Sequence, residues 1–193
     1  MDPDPADKAA LRLWLLDRAR ALSAEERAEA SSRVQDRLLA LSAFAAARVI
    51  ALYAPLPAEL STERLFARAR AAGKTVVLPG YADREPELRA AGEPAELTER
   101  RHGFLQPPPG PAVPAAEVDL FVVPGVAFDR GGRRLGRGQG YYDRLLAAAR
   151  ADAWRAGVCF DHALLPRLPA QPHDAPVDYV ATPSALLRTG QRR

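Results

Sequence analysis

Cysteine is almost missing. Cys159 is the single one in 193 residues, so an internal disulfide is excluded and a reducing, cytoplasmic setting is expected. Lysine is nearly missing too: only Lys8 and Lys74 occur, and the cationic charge is arginine. The three histidines and one cysteine form no cluster with metal-ligand spacing, which argues against a zinc centre. No spacing of Ser, His and Asp supports a nucleophilic triad. No apolar run approaches the ~18 residues needed to cross a bilayer, so no membrane partner is expected. The start, MDPDPADK, is acidic and proline-bearing, unlike a secretory signal. The net charge of +3 is modest. Aromatic and basic residues do not interleave as they do on base-stacking surfaces, so nucleic acid is not an expected partner. No internal repeat is present.

What is there suffices for a core. Hydrophobic residues make up 48% of the chain, and the length favours a single domain over 1–193. Residues 6–22 read as a helix with Leu11, Trp14, Leu15, Ala19 and Leu22 on one stripe. Ser23 and Glu26 form a capping box that opens a second helix, carrying Ala30, Val34, Leu38 and Leu41 inward. Strands are expected at Arg48–Tyr53, Lys74–Leu78, Asp119–Val123, Arg155–Phe160 and Val177–Ala181, with one more near Glu87–Ala91. Between the first two lies a helix capped by Ser61 or Thr62, packed by Leu65, Phe66 and Ala69, and ended by Gly73. Residues 92–117 read as one long loop with room for one short strand, and Ser184–Leu187 as a final turn. The fold class is α/β, a three-layer sandwich around a mostly parallel sheet, with an N-terminal helical hairpin. Ligands on such sheets sit at the carboxyl ends of strands. Glu59, the 79–84 loop, the glycine loop and His173-Asp174 are all expected to gather there.

The chain's most informative stretch is Val122–Leu146, VVPGVAFDRGGRRLGRGQGYYDRLL. An apolar strand stops at Pro124-Gly125, and a turn follows over 128–132. Gly136, Gly138 and Gly140 then alternate with Arg137 and Gln139 before a helix with Tyr142, Leu145, Leu146 and Ala149 on one face. Side-chain-poor backbone and forked guanidinium donors suit a polyphosphate. The spacing GxGxG matches neither the Walker pattern nor the dinucleotide pattern, and an ordinary surface loop is the competing reading. Asp143 reads either as a carboxylate compensating the helix dipole or as a magnesium ligand. Asp174 is either a turn residue or a second ligand, and His173 beside it is read as structural. Cys159 reads as a small core residue. Lys8 and Arg12 form a solvated helix face or a phosphate contact, and Glu59 is either merely exposed or functional. Tyr142 is expected on the buried stripe, and Tyr141 turned toward the loop.

The text FDRGGRRLGRGQGYYDR closely resembles the signature of the 5-formyltetrahydrofolate cyclo-ligase family. Three other segments are similar to that family: Lys8-Ala9-Ala10-Leu11-Arg12, Pro57–Thr62, and Gly157–Phe160 followed by PHDAPVD and ATP. The resemblance implies conversion of 5-formyltetrahydrofolate to 5,10-methenyltetrahydrofolate, with ATP as co-substrate and Mg²⁺ as cofactor. It implies that the formyl oxygen takes the γ-phosphoryl group, that N10 closes the ring, and that phosphate leaves. By the same resemblance, ATP would meet Lys8, Arg12, Arg134, Leu135, Gly136, Arg137, Gly138, Gln139, Gly140, Tyr141 and Tyr142. The folate would meet Ala54, Glu59, His102, Arg137 and Tyr141; the metal would meet Asp143 and Asp174; and Arg137 and Tyr141 would serve the chemistry. Two segments depart from the family pattern. Gln139 stands where relatives often carry lysine, with Arg133 or Arg134 able to compensate, and HGFLQP at 102–107 replaces an aromatic followed by glutamate-proline. A monomer acting on small molecules is expected. The rival is a diverged, non-catalytic relative that binds nucleotide or RNA.

Overall fold

Side chains alternate along each central strand between two apolar layers in the computed structural model, which describes residues 7–82, 85–92, 97–99, 105–169 and 175–190. The helices are α1 (Lys8–Ala21), α2 (Ala24–Leu39), α3 (Ser42–Ala46), α4 (Glu63–Ala71) and α5 (Tyr141–Ala147). The central strands are β1 (Val49–Ala51), β2 (Thr75–Ala82), β7 (Leu120–Pro124), β10 (Trp154–Val158) and β12 (Tyr179–Ala181). Ile50, Val76, Leu78, Leu120 and Val122 enter one layer, while Ala51, Val77, Phe121 and Val123 enter the other. Period-two alternation with both faces apolar is what a sheet covered on both sides requires.

The five central strands are mutually parallel, in the order β12-β10-β7-β1-β2. Counted along the chain, that is the doubly wound order 2-1-3-4-5. Antiparallel strands extend both sides. β13 (Leu186–Arg188) joins β12, while β3 (Glu85–Ala90) joins β2 and carries β6 (Ala112–Val113) at the far edge. On one face, α2, α3 and α4 bring Val34, Leu38, Phe44, Leu65 and Phe66 onto the sheet. On the other, Leu145 and Leu146 of α5 pack with Leu11 and Leu15 of α1. A small sheet of β8 (Ala127–Asp129), β9 (Arg134–Leu135) and β11 (Leu164–Leu165) completes that face. The architecture is α/β in three layers, as the segment pattern predicts.

Local chemistry sets the element boundaries. Asp7 caps α1 by accepting from the N–H groups of Ala9 and Ala10 at 2.9 and 3.0 Å. Ser23 and Glu26 cap α2 reciprocally, at 3.1 and 2.7 Å. The two N-terminal helices follow one another across residues 22–23 and then part. Leu11 and Leu15 serve the layer of α5, whereas Val34 and Leu38 serve the opposite one. Thr62 precedes α4 without capping it, because its hydroxyl donates to the Tyr53 carbonyl at 2.7 Å. Ser61 Oγ accepts from the Glu63 N–H at 3.2 Å, and Gln35 of α2 reaches the next two donors, its Oε1 accepting from Arg64 and Leu65 N–H.

Several segments differ from the sequence reading. α2 stops at Leu39, so Leu41 stands before a separate α3, and the turn expected over 128–132 begins inside β8. β2 runs past Pro79-Gly80, because only residues Thr75–Val77 pair with β1. Beyond them the strand pairs with β3 alone, and the missing proline N–H breaks no ladder. The 92–117 segment holds β6, β4 (Thr98–Glu99), β5 (Leu105–Gln106) and a 3₁₀ turn at Ala115–Glu117. The final turn is a strand, β13, set by its pairing with β12. Among the described residues no helix is long and apolar enough to cross a membrane.

Candidate functional site

The neighbours β1 and β7 are where the strand order reverses, and a doubly wound sheet opens a crevice at such a point. A cleft of about 670 Å³ lies there. Tyr53 and Ala54 enter it from the end of β1, and Pro124, Gly125 and Val126 from the end of β7. α1 contributes Lys8 and Arg12, the turn after β1 contributes Leu56 and Glu59, and residues 134–143 form the remaining wall. Every described residue that the sequence singles out for ATP, folate or metal therefore lines one cavity. His102 and Asp174, and His173 with them, lie outside the described residues.

The glycine loop is shaped by what its side chains must avoid. Gly138 and Gly140 hold φ of 98° and 65°, conformations that other residues adopt only at a cost. Gly136 has a different reason. A Cβ there would sit 2.5 Å from Nη1 of Arg134, so glycine leaves room for a buried guanidinium. Arg12 ties the loop to α1, its Nε donating to the Gly136 carbonyl at 2.7 Å. α5 has only seven residues, so few peptide dipoles align and side chains must supply most of the positive charge.

Two ion pairs line this cavity, one within the 134–143 wall and one across it. The Arg134 side chain is 6% exposed and donates through Nη2 to Oδ1 of Asp143 at 2.7 Å. Its guanidinium also lies 5.5 Å from the Tyr142 ring centroid. The sequence suggests Arg134 as a phosphate contact, but here its charge is directed to Asp143. Arg133, the other candidate to replace a lysine at 139, lies 3.6 Å from buried Asp129 and does not line the cleft. Arg137 donates through Nε and Nη2 to Oε1 of Glu59, at 3.1 and 2.8 Å. Glu59 Oε2 accepts from the Leu56 N–H at 3.0 Å, so the turn holds the carboxylate in place.

The tyrosines do not divide as their helix positions predict. Both are half-buried and both line the cleft. Tyr141 directs its hydroxyl away from the loop, toward the carbonyls of Gly80 (3.0 Å) and Glu87 (3.2 Å) on the β2–β3 hairpin. The antiparallel extension of β2 creates those acceptors, and periodicity carries no sign of them. Burial pushes the Tyr142 hydroxyl well above the usual tyrosine range, helped by Tyr141 and Glu59. Tyr53 is raised in the same way by burial and by Glu59, and donates to the Leu60 carbonyl at 2.7 Å. Neither is an acid or base near neutrality; both are apolar walls with a hydrogen-bonding tip.

The sequence reading missed Tyr53, Leu56, Leu105 and the turn at 124–126, whereas Pro79 opens the 79–84 segment expected here. Leu105 is 44% exposed beside the cavity, a cost that a flat apolar ligand would remove. Tyr53 and Pro124-Gly125 had one usable signal, their place at strand ends. Cys159 is buried with its thiol pushed up to about 12, chiefly by burial, as a core residue should be.

Asp143 fits a hard cation on its own terms. Oδ1 takes the arginine, and Oδ2 has no partner among the described residues. Magnesium needs only one or two protein carboxylates beside phosphate oxygens and water. No group of three or more His, Cys, Asp or Glu with metal-ligand proximity occurs among the described residues.

The chain as a whole resembles known proteins. Residues 4–183 match the model of the 5-formyltetrahydrofolate cyclo-ligase family. The chain is 33% identical over 186 residues to 5-formyltetrahydrofolate cyclo-ligase of Mycolicibacterium smegmatis, covering 93% of this chain and 95% of that one. It is 30% identical to the mouse protein of the same name, covering 90% and 92%. The NMR structure of Aquifex aeolicus 5,10-methenyltetrahydrofolate synthetase superposes with a TM-score of 0.85 at 35% identity, over 96% of this chain and 94% of that one.

Proposed function

This chain belongs to the 5-formyltetrahydrofolate cyclo-ligase family, and from that premise we propose that it converts 5-formyltetrahydrofolate and ATP to 5,10-methenyltetrahydrofolate, ADP and phosphate in the β1–β7 cleft. One observation carries the reading: a single cavity holds a cationic glycine-loop wall and, bonded across it, the Glu59 carboxylate on the turn after β1. Phosphate and pterin can thereby be held side by side.

The formyl oxygen is a poor leaving group until it is phosphorylated. Transfer of the γ-phosphoryl group forms an O–P bond and breaks the bond to ADP. N10 then attacks the formyl carbon and gives up its proton, and the C–O bond breaks with loss of phosphate. The protein's part is positioning and charge neutralisation. Arg137 sits where it can reach either substrate, with Lys8 and the loop amides of 136–140 along the phosphate side. Arg12 holds the loop through Gly136. Glu59 orients the pterin, Ala54 and Leu105 cover its faces, and Tyr141 keeps the β2–β3 hairpin against α5. Asp143 would hold Mg²⁺, with Asp174 as the second candidate. When bound, the ion supplies charge neutralisation to the phosphates.

The test is direct. Protein mixed with MgATP and 5-formyltetrahydrofolate should produce the methenyl absorbance, and omission of ATP or addition of a chelator should stop it. A folded sample that yields no absorbance would reject the proposal.

A further inference from the structure

Arg137 already has a partner in the cleft. Two of its nitrogens, Nε and Nη2, converge on one oxygen of Glu59. That edge of a guanidinium is the one suited to a forked grip on phosphate. Glu59 is fixed from behind, since Leu56 donates to its other oxygen and its own N–H donates to the Leu56 carbonyl at 2.8 Å. Arg137 stands between two glycines, and its side chain is 41% exposed. Of the two partners, the arginine is the one free to move.

The other arginines of the wall have different commitments. Arg12 is held by the Gly136 carbonyl and Arg134 by Asp143. Among these three, Arg137 alone is bonded to a residue on the opposite wall. A ligand that bonds to Glu59 competes with Arg137, and a phosphate that bonds to Arg137 competes with Glu59. We infer that the Arg137–Glu59 pair couples the two substrates: folate engaging Glu59 releases Arg137 to the nucleotide, and nucleotide engaging Arg137 releases Glu59 to the folate. This rests on the activity proposed above and adds that each substrate tightens the other's binding by the same factor, as linkage requires. Glu59 is thus a positioning residue for Arg137 as well as a substrate contact.

Calorimetry with Mg²⁺ and AMP-PNP, which cannot complete the transfer, reads the coupling without turnover. Saturating 5-formyltetrahydrofolate should tighten the analogue on the wild type about two- to five-fold, the range of an ion pair this exposed. Glu59→Gln should bind the analogue that much more tightly with no folate present, and added folate should then contribute nothing further. Arg137→Ala separates this contact from the plain loss of a negative charge: in that background Glu59→Gln should leave the analogue affinity unchanged. Equal affinity of wild type and Glu59→Gln would overturn the coupling while leaving the proposed activity intact. So would a gain that persists without Arg137. If no variant binds the analogue although all are folded, the nucleotide reading fails and the coupling fails with it.

Discussion

Arg137 shows how one side chain can matter to turnover and little to stability. It is substantially exposed, and its ion pair with Glu59 lies at the mouth of a solvated cleft. Such pairs contribute at most about 1 kcal/mol to folding. Charge developing on a transferring phosphoryl group is worth far more, and removing one preorganised donor typically costs about 100- to 1,000-fold. Arg137→Ala should therefore lower kcat/KM by roughly 100-fold or more with the melting temperature nearly unchanged. Arg137→Lys should recover only part of the loss, since lysine restores the charge but not the fork. Normal turnover by the alanine variant would remove Arg137 from the chemistry. That residues 134–143 would line a strand-end cavity was legible through the family resemblance of their text, since spacing alone left an ordinary surface loop as the rival. Their partners were not. Nothing local indicates that Arg134 faces Asp143, or that Tyr141 reaches a hairpin some sixty residues earlier in the chain.

Between elements, the close approach of β7, β8 and β10 depends on missing side chains. Phe128 of β8 is fully buried, and its ring lies in a notch between Gly125 at the end of β7 and Gly157 within β10. A Cβ on Gly157 would fall 2.4 Å from Cε1 of that ring, and one on Gly125 would fall 2.5 Å from Cε2. The ring cannot swing away, because the core on every side is packed. Gly157→Ala should destabilise the protein by about 1–3 kcal/mol through overpacking, read as a lower denaturant midpoint. Combining it with Phe128→Leu, which empties part of the notch, should cost clearly less than the two losses added. Strict additivity would show that the ring is not what glycine makes room for. At this scale the long elements were legible from periodicity, joined for α2 by its capping box: α1, α2, α4, and the strands of the parallel core. Two- and three-residue strands such as β6 and β13 were not, since they carry no period and exist only through their partners.

For the whole molecule, two steps of acid sensitivity follow from three groups. His162 is half-buried, stacked on Phe160 at 5.6 Å and 5°. Burial, then Arg18, hold its imidazole below the usual histidine range, against the opposing pull of the Leu15 carbonyl and Asp161. The unfolded chain therefore takes up this proton first. The contribution is complete above about pH 6.5 and is lost as pH falls toward the lower folded value. Burial alone would raise Asp119, yet the Val49 and Arg48 N–H groups and the Arg150 guanidinium outweigh it and leave the carboxyl low. Asp161 is held down in the same way by Ser184, Thr182 and Arg37 against its own burial. Their contribution is complete above about pH 4 and is lost below it. Urea midpoints measured across pH should fall in two steps, and His162→Gln should remove the upper one alone. An unchanged slope between about pH 5 and pH 6.5 in that variant would show that histidine does not set the first step. Asp119 ties the start of β1 to β7 through bonds at 2.6 and 2.8 Å, so its protonation loosens the strand pair that forms the cleft.

By itself, the sequence determined the class of fold, the capping box that starts α2, the parallel core, and a phosphate-suited loop at a strand end. Each of these is written in short-range patterns, and short-range physics is what a sequence displays directly. Tertiary structure alone decided that the sheet reverses its order between β1 and β7, so that Glu59 and Arg137, 78 residues apart, form one ion pair. It also decided which arginine is buried against Asp143 and which spans the cleft. Those choices depend on space, charge and hydrogen-bond partners that meet only after the chain has closed on itself.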